Sequence, residues 1–205
     1  MDIKLLKSRG IILSMLQRRG YDTTEYNNYS INEIRVMRNN DNLDMLLKKS
    51  GTTCYVMYYI GEKHKKFKSN DLKKAVIEYF ESEVLGENDE LIIIMDDKLL
   101  LSKKYSNFTG KLENYYAQGY FIQLFNISSL LYDVTKHSLV PEHIILSNTE
   151  KEALLKHFNI VEEKLPRISR FDPVAKFIGL RPGDVCKIKR SSYTSGEIDY
   201  YRLCD

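Results

Sequence analysis

Asp96, Asp97 and Lys98 follow directly on the apolar run Leu91–Met95 (LIIIM), and they are the residues of this 205-residue chain best suited to chemistry. Two carboxylates and a lysine at a strand end can hold Mg²⁺ and orient an attacking water, as in one half of a restriction-type nuclease site. That chemistry needs a further carboxylate, for which Asp71 and Glu78 are the candidates. The same triplet also describes a solvated turn after a buried strand, its commoner meaning.

No second catalytic pattern accompanies it. The chain contains no GxSxG, no P-loop, no HExxH and no glycine-rich loop after a strand. Cys54, Cys186 and Cys204 are odd in number and form no CxxC pair, and the four histidines show no ligand spacing with them. Neither a disulfide framework nor a zinc site is expected, and Cys54 sits among apolar neighbours where a thiolate is disfavoured. The expectation is a chain with no catalytic residue, metal or cofactor of its own.

Three basic runs can neutralise phosphates: Lys63–Lys68 (KHKKFK), Lys103-Lys104 and Lys187–Arg190, with Tyr and Phe interleaved. Taken singly, each is more often a solvated face or loop. The net charge of +3 is only mildly basic, so nucleic acid is permitted as a partner without being demanded. With 43% hydrophobic and 29% charged residues the composition is that of a soluble globular protein. The N-terminus MDIKLLKSRGIILSMLQRRG mixes charge with apolar residues and reads as neither signal peptide nor membrane span, so no membrane partner is expected. The Asn-x-Ser/Thr triplets at Asn28, Asn107 and Asn126 are then chance matches. Fifteen tyrosines, no tryptophan and abundant Asn, Lys and Ile fit an AT-rich coding genome.

The positioning elements emerge from periodicity. Ile3, Leu6, Ile11, Leu13 and Leu16 predict a helix ended by Gly20, with a break possible at Gly10. A second helix is predicted over Ser30–Lys49, with a Ser30/Glu33 capping box. Cys54–Ile60 reads as a strand, Asp71–Glu83 as a helix, Leu91–Met95 as a strand buried on both sides, Leu99–Tyr105 as a short helix, and Tyr120–Asn126 as another strand. This alternation indicates an α/β layer with a mixed or mostly parallel sheet.

The pattern changes near Asp133–Pro141. A strand at Ile144–Leu146 precedes a helix with a Ser147/Glu150 capping box and a stripe of Leu154, Leu155 and Phe158. Asp172 is placed to cap a short helix entered through Pro173, and Arg181-Pro182-Gly183-Asp184 carries a type II turn signature. Val185–Arg190 and Ile198–Cys204 form a hairpin, Cys186 and Ile188 on one face and Lys187 and Lys189 on the other. The expected division is 1–135 and 136–205, the second a small α+β unit.

HSLVPEHIILSNTEKEALLKHF, LPRISRFDPVAKFIGLRPGDVCKIKR and TSGEIDYYRLCD, in that order, resemble the assembly domain of RNA polymerase subunit five, which the nuclear polymerases share and whose archaeal counterpart consists of this domain alone. The likeness covers about the last seventy residues. The earlier part resembles the family's eukaryotic jaw domain through its length, Arg19-Gly20-Tyr21 and its helix–strand alternation. The resemblance implies an N-terminal jaw with a mixed sheet flanked by helices, of restriction-nuclease-like topology without the active site, so that Asp96–Lys98 is a structural echo. It also implies that the C-terminal unit docks on the largest polymerase subunit, beside other subunits, while the jaw reaches weakly and non-specifically toward downstream duplex DNA.

Residue by residue, the resemblance assigns docking to one stretch. Phe171, Val174, Phe177, Ile178 and Leu180 supply apolar contact, although the unit's own core also claims apolar members of this set. Asp172, Pro173, Gly179, Pro182 and Gly183 fix the backbone, and Arg167, Arg170 and Arg181 can pair with partner carboxylates. The family's DNA-proximal loop falls on Leu99–Ser106, where Ser102, Lys103 and Lys104 replace its Thr-Pro-Ser-Ala element. A Mg²⁺-dependent nuclease centred on Asp96, Asp97 and Lys98, and a free-standing DNA-binding regulator, are the alternatives.

Overall fold

Leu5, Ile12 and Leu16 recur on one face of the first helix and are almost wholly buried, which is why α1 (Asp2–Arg18) forms and docks. The computed structural model describes residues 1–60, 67–86, 88–96, 106–192 and 196–205. Asp97, Lys98, Ser102, Lys103, Lys104, Lys63–Lys66 and the helix expected at Leu99–Tyr105 lie outside the described residues. The chain divides into two compact units, Met1–Tyr132 and Asp133–Asp205. No helix among the described residues is long and apolar enough to cross a membrane.

In the first unit α1 runs unbroken through Gly10 and stops at Gly20, whose φ of +92° suits glycine. Gly20 N–H then donates to Gln17 O at 3.0 Å and Tyr21 N–H to Leu16 O at 3.0 Å, the paired bonds of a Schellman stop. The capping box opens α2 (Ile31–Asn39): Glu33 N–H donates to the Ser30 hydroxyl, and Ser30 N–H to the Glu33 carboxylate at 2.7 Å. This helix ends at Asn39, ten residues earlier than its spacing predicts. The stretch Asn39-Asn40-Asp41-Asn42 stops it, with Asp41 in the left-handed region at φ +51° and Asn42 N–H returning to Met37 O at 2.9 Å. Asn and Asp tolerate that conformation and compete with helix bonds.

Strand β1 (Met45–Lys49) comes next, where Met45 and Leu47 are buried and Leu46 is exposed, a period of two. It turns through Ser50-Gly51 into the antiparallel strand β2 (Thr52–Tyr59). Helix α3 (Ser69–Val76) continues as a π-helical turn over Ile77–Glu81, setting Tyr79 against Tyr55 and Phe80 against Tyr120. Strand β3 (Glu90–Met95) is buried at every position and pairs in parallel with β2 and with β4 (Phe121–Asn126), giving the sheet order β1-β2-β3-β4. Helix α4 (Ser106–Ala117) stands between β3 and β4, later in the chain than the helix expected there at Leu99–Tyr105. The expected mixed sheet flanked by helices is present.

The second unit opens with β5 (Glu142–Ile145) and α5 (Asn148–Phe158), whose capping box joins Ser147 and Glu150. Leu154 of the predicted stripe is buried and Leu155 half-buried, but Phe158 is 52% exposed, a correction explained by the helix ending there at left-handed Asn159. Strand β6 (Arg167–Ile168), helix α6 (Pro173–Ile178) and the hairpin β7 (Val185–Ser192) and β8 (Gly196–Cys204) complete a sheet ordered β5-β7-β8-β6. One face packs Val185 and Leu203 with Leu154 and Leu165. The other packs Cys186, Ile188 and Cys204 with Ala175 and Leu180.

Candidate functional site

The stretch Arg167–Asp184 is held by its own caps and turn, by the end of β8 and by α5. Asp172 caps α6, its Oδ1 accepting from Val174 N–H at 2.8 Å and Ala175 N–H at 3.2 Å, and Pro173 occupies the first turn, where its missing N–H costs nothing. Gly179 closes the helix at φ +76°, and Leu180 N–H donates to Ala175 O at 3.0 Å. The turn Arg181–Asp184 is type II as its sequence indicates, with Gly183 at φ +88° and Asp184 N–H bonded to Arg181 O at 3.0 Å. Asp184 Oδ2 in return accepts from Arg181 N–H at 2.8 Å.

The end of β8 locks the stretch in place. Asp205 O accepts both Arg170 N–H at 3.0 Å and Arg170 Nε at 2.8 Å, and Gly183 N–H donates to Cys204 O at 3.0 Å. Lys151 Nζ on α5 donates to Gly183 O at 2.9 Å while pairing with Glu162. Lys151 and Asp205 were missed in the sequence, because contacts 32 and 35 residues away leave no local signal. Burial raises the Asp184 carboxyl and pushes the Cys186 and Cys204 thiols up to about 11 and about 12, so neither cysteine is a ready nucleophile.

What the stretch presents outward differs from what its composition suggests. Phe177 and Leu180 are buried within the unit, Leu180 completely, because α6 turns that face onto the sheet. They are core residues, and their removal from the candidate contact set is a correction. Pro173, Pro182 and Gly183 are exposed; Phe171, Val174, Ile178 and Gly179 are half-buried. Arg167 keeps 60% of its side chain exposed, at 3.6 Å from the Asp205 carboxylate, and Arg181 is half-buried.

The basic strand is internally compensated. Lys187 meets Asp199 at 2.6 Å, Lys189 meets Glu142 at 3.1 Å, and Arg190 lies 5.1 Å from the centre of the Tyr200 ring. The hydrogen bond from Lys187 to Asp199 raises the Lys187 ammonium. These contacts compete with any phosphate for the three cations.

Of the nuclease candidates, Asp71, Glu78 and Asp96 are among the described residues. Asp96 is exposed at the end of β3, while Asp71 accepts Lys68 N–H at 2.8 Å as an end cap of α3, and Glu78 is exposed to solvent. Among the described residues no three His, Cys, Asp or Glu side chains come together as a metal site. Sequence reasoning also missed a buried pair in the first unit. Arg19 Nη1 meets Glu90 at 2.6 Å and Arg19 Nη2 donates to Gln123 Oε1 at 2.9 Å. Polar and charged residues scattered over 104 positions give no hint of meeting.

Comparison with known proteins adds what the geometry leaves unnamed. Residues 132–204 match the family model described as RNA polymerase Rpb5, C-terminal domain. The chain is 32% identical over 201 residues to subunit rpabc1 of DNA-directed RNA polymerases I, II and III of Dictyostelium discoideum, covering 98% of this chain and 97% of that one. It is 28% identical over 200 residues to subunit 5A of DNA-directed RNA polymerase V of Arabidopsis thaliana, covering 92% and 82% of the two chains. DNA-directed RNA polymerase subunit Rpo5 of Pyrococcus abyssi is 49% identical over 72 residues, 35% of this chain and 88% of the archaeal one.

Proposed function

The chain belongs to the RNA polymerase subunit 5 family, and on that premise we propose that it is a non-catalytic subunit that docks on the largest polymerase subunit through its second unit. As a polymerase subunit it works inside a nucleotidyltransferase complex alongside other subunits. The observation that carries this reading is the likeness to the Dictyostelium subunit along nearly the whole of both chains. The archaeal match is 72 residues long, the length of the second unit to within one residue (133 to 205 is 73), and it has the higher identity. A segment retained at that level in a relative that is little more than this unit suits the contact made in every such polymerase.

In this reading 1–135 is the jaw and 136–205 the assembly domain. The docking surface comprises Arg167, Arg170, Phe171, Val174, Arg181, Pro182 and Gly183, shaped by Asp172, Pro173 and Gly179. Apolar contact accompanied by arginines is a composition that favours stable association. The jaw carries a topology related to restriction nucleases with the active site lost, and it approaches downstream duplex DNA weakly and without sequence preference through Ser102, Lys103 and Lys104. The likeness to eukaryotic subunits and the AT-biased composition support a eukaryotic-type chain carried by a large cytoplasmic DNA virus such as African swine fever virus, working in host cytoplasm and packaged in virions. A cellular chain of this type works in the nucleus.

Tagged purification from the native source at high salt, followed by mass spectrometry, tests the reading. The large polymerase subunits are expected in equal amounts. A chain recovered alone would overturn it and bring forward assays for a Mg²⁺-dependent nuclease or a free DNA-binding regulator.

A further inference from the structure

Arg9 lies on the buried face of α1 with 2% of its surface exposed. Its Nη1 donates to Leu43 O at 2.8 Å, and its guanidinium carbon stands 5.1 Å from the centre of the Tyr29 ring and 5.7 Å from that of Tyr26. The remaining nitrogens, Nε and Nη2, are buried and meet no acceptor among the described residues. Tyr58 Oη, from β2, is buried in the same way without a partner. Guanidinium cannot shed its proton, so these donors stay donors at any pH at which the chain folds.

The surroundings define what could satisfy them. Ser8 commits its hydroxyl proton to Leu5 O at 2.9 Å. Asp44 is the carboxylate close enough to act on both Arg9 and Tyr58, but its oxygens accept Tyr58 N–H at 2.7 Å and the Tyr55 hydroxyl at 3.0 Å. The missing partner must accept from Arg9 and meet the Tyr58 hydroxyl, which can donate or accept. An anion would accept from both, yet it would stand against the charge of Asp44. A neutral water molecule meets no such repulsion, and buried polar groups left over by a fold are its usual place.

We propose that a single internal water joins Arg9 to the Tyr58 hydroxyl, binding α1, the segment Tyr26–Tyr29 and β2 into one polar cluster within the first unit. The inference stands independently of the polymerase reading.

A crystal structure of the full chain, grown with bromide in place of chloride and at a resolution that shows ordered water, tests it. A density peak within hydrogen-bonding reach of Arg9 and Tyr58 Oη, without anomalous signal, is expected. An anomalous bromide peak would assign an anion site instead, and direct contact of Arg9 with Tyr58 or Asp44 without a peak would remove the water altogether. In solution, Tyr58→Phe and Arg9→Met should each lower the Tm, and the double variant should lower it by less than the sum, since removing both ends leaves nothing orphaned. Additive shifts would count against the bridge.

Discussion

Arg19 and Glu90 meet at 2.6 Å with only 6% and 8% of their side chains exposed, joining the residue that caps α1 to the first residue of β3. The pair sits beside Gln123, so three elements of the first unit share one set of charge-assisted bonds. Removing one member leaves a charge stranded in the interior, at a cost of about 3–5 kcal/mol. Arg19→Ala or Glu90→Ala is therefore expected to lower the urea midpoint sharply, and Arg19→Met/Glu90→Leu to lower it less than either alone. Equal midpoints for the single variants and the parent would show that the pair is solvated.

Helix α6 is short enough to depend on its cap. Asp172→Ala removes both acceptor bonds and should cost about 0.5–2 kcal/mol, whereas Asp172→Asn keeps an acceptor and should cost less. Thermal denaturation of the three proteins orders them. Capture of the polymerase large subunits should follow the same order if the helix presents the docking surface.

Core and surface can be separated within the same stretch. Leu180→Ala opens a fully buried position and should cost roughly 2–5 kcal/mol. Arg167→Glu alters an exposed side chain, so stability should stay within about 0.5 kcal/mol of the parent while recovery of the large subunits falls. Unchanged recovery with Arg167→Glu would move the docking surface elsewhere.

The capping box of α5 gives a pH signature. The Glu150 carboxylate is held below its ordinary 4.5, first by the Ser147 hydroxyl and then by Ser147 N–H. A depressed folded value means that the contribution is complete above 4.5 and disappears as the pH falls through that lower value. Glu150→Ala should thus be less stable than the parent at neutral pH, and the gap should close in acid. Denaturant titrations at both ends of that range measure it, and a gap independent of pH would show that the ionised carboxylate is not what the cap uses.

Charge reversal at Lys103 and Lys104 should weaken engagement of downstream DNA by the assembled polymerase and flatten its salt dependence, leaving assembly intact. Footprinting of the assembled enzyme at two salt concentrations reads the effect. Loss of assembly would mean that this loop serves a subunit contact instead.

Much of the second unit was legible because its signals are local. Ser147/Glu150, Asp172-Pro173 and Arg181–Asp184 each specify geometry within three or four residues, and each has the form its chemistry indicates. The first unit was harder. Met45–Lys49 followed a helical run closely enough to read as its continuation, although the Asn-rich stretch before it supplied a stop signal. Among the described residues of helix α4 only Leu112 is fully buried, and the rest of its stripe is the half-buried aromatics Phe108, Tyr115 and Tyr116, a weak signal beside a helix of aliphatic residues. Nothing in the neighbourhood of Arg9 and Arg19 along the chain reveals that rings, a carbonyl and a carboxylate close over them.

Synthesis imposes an order on the second unit. The stretch proposed for docking gains its register from β6 lying parallel to the end of β8, and Arg170 is anchored by a residue 35 positions later. At about 5–20 residues per second a ribosome takes roughly two to seven seconds to cover that distance. Until then Arg170 and α6 have no strand end to hold them, and a half-made chain has no finished surface to offer. If the stretch docks as proposed, competition for the partner is reserved for chains that have already closed their sheet.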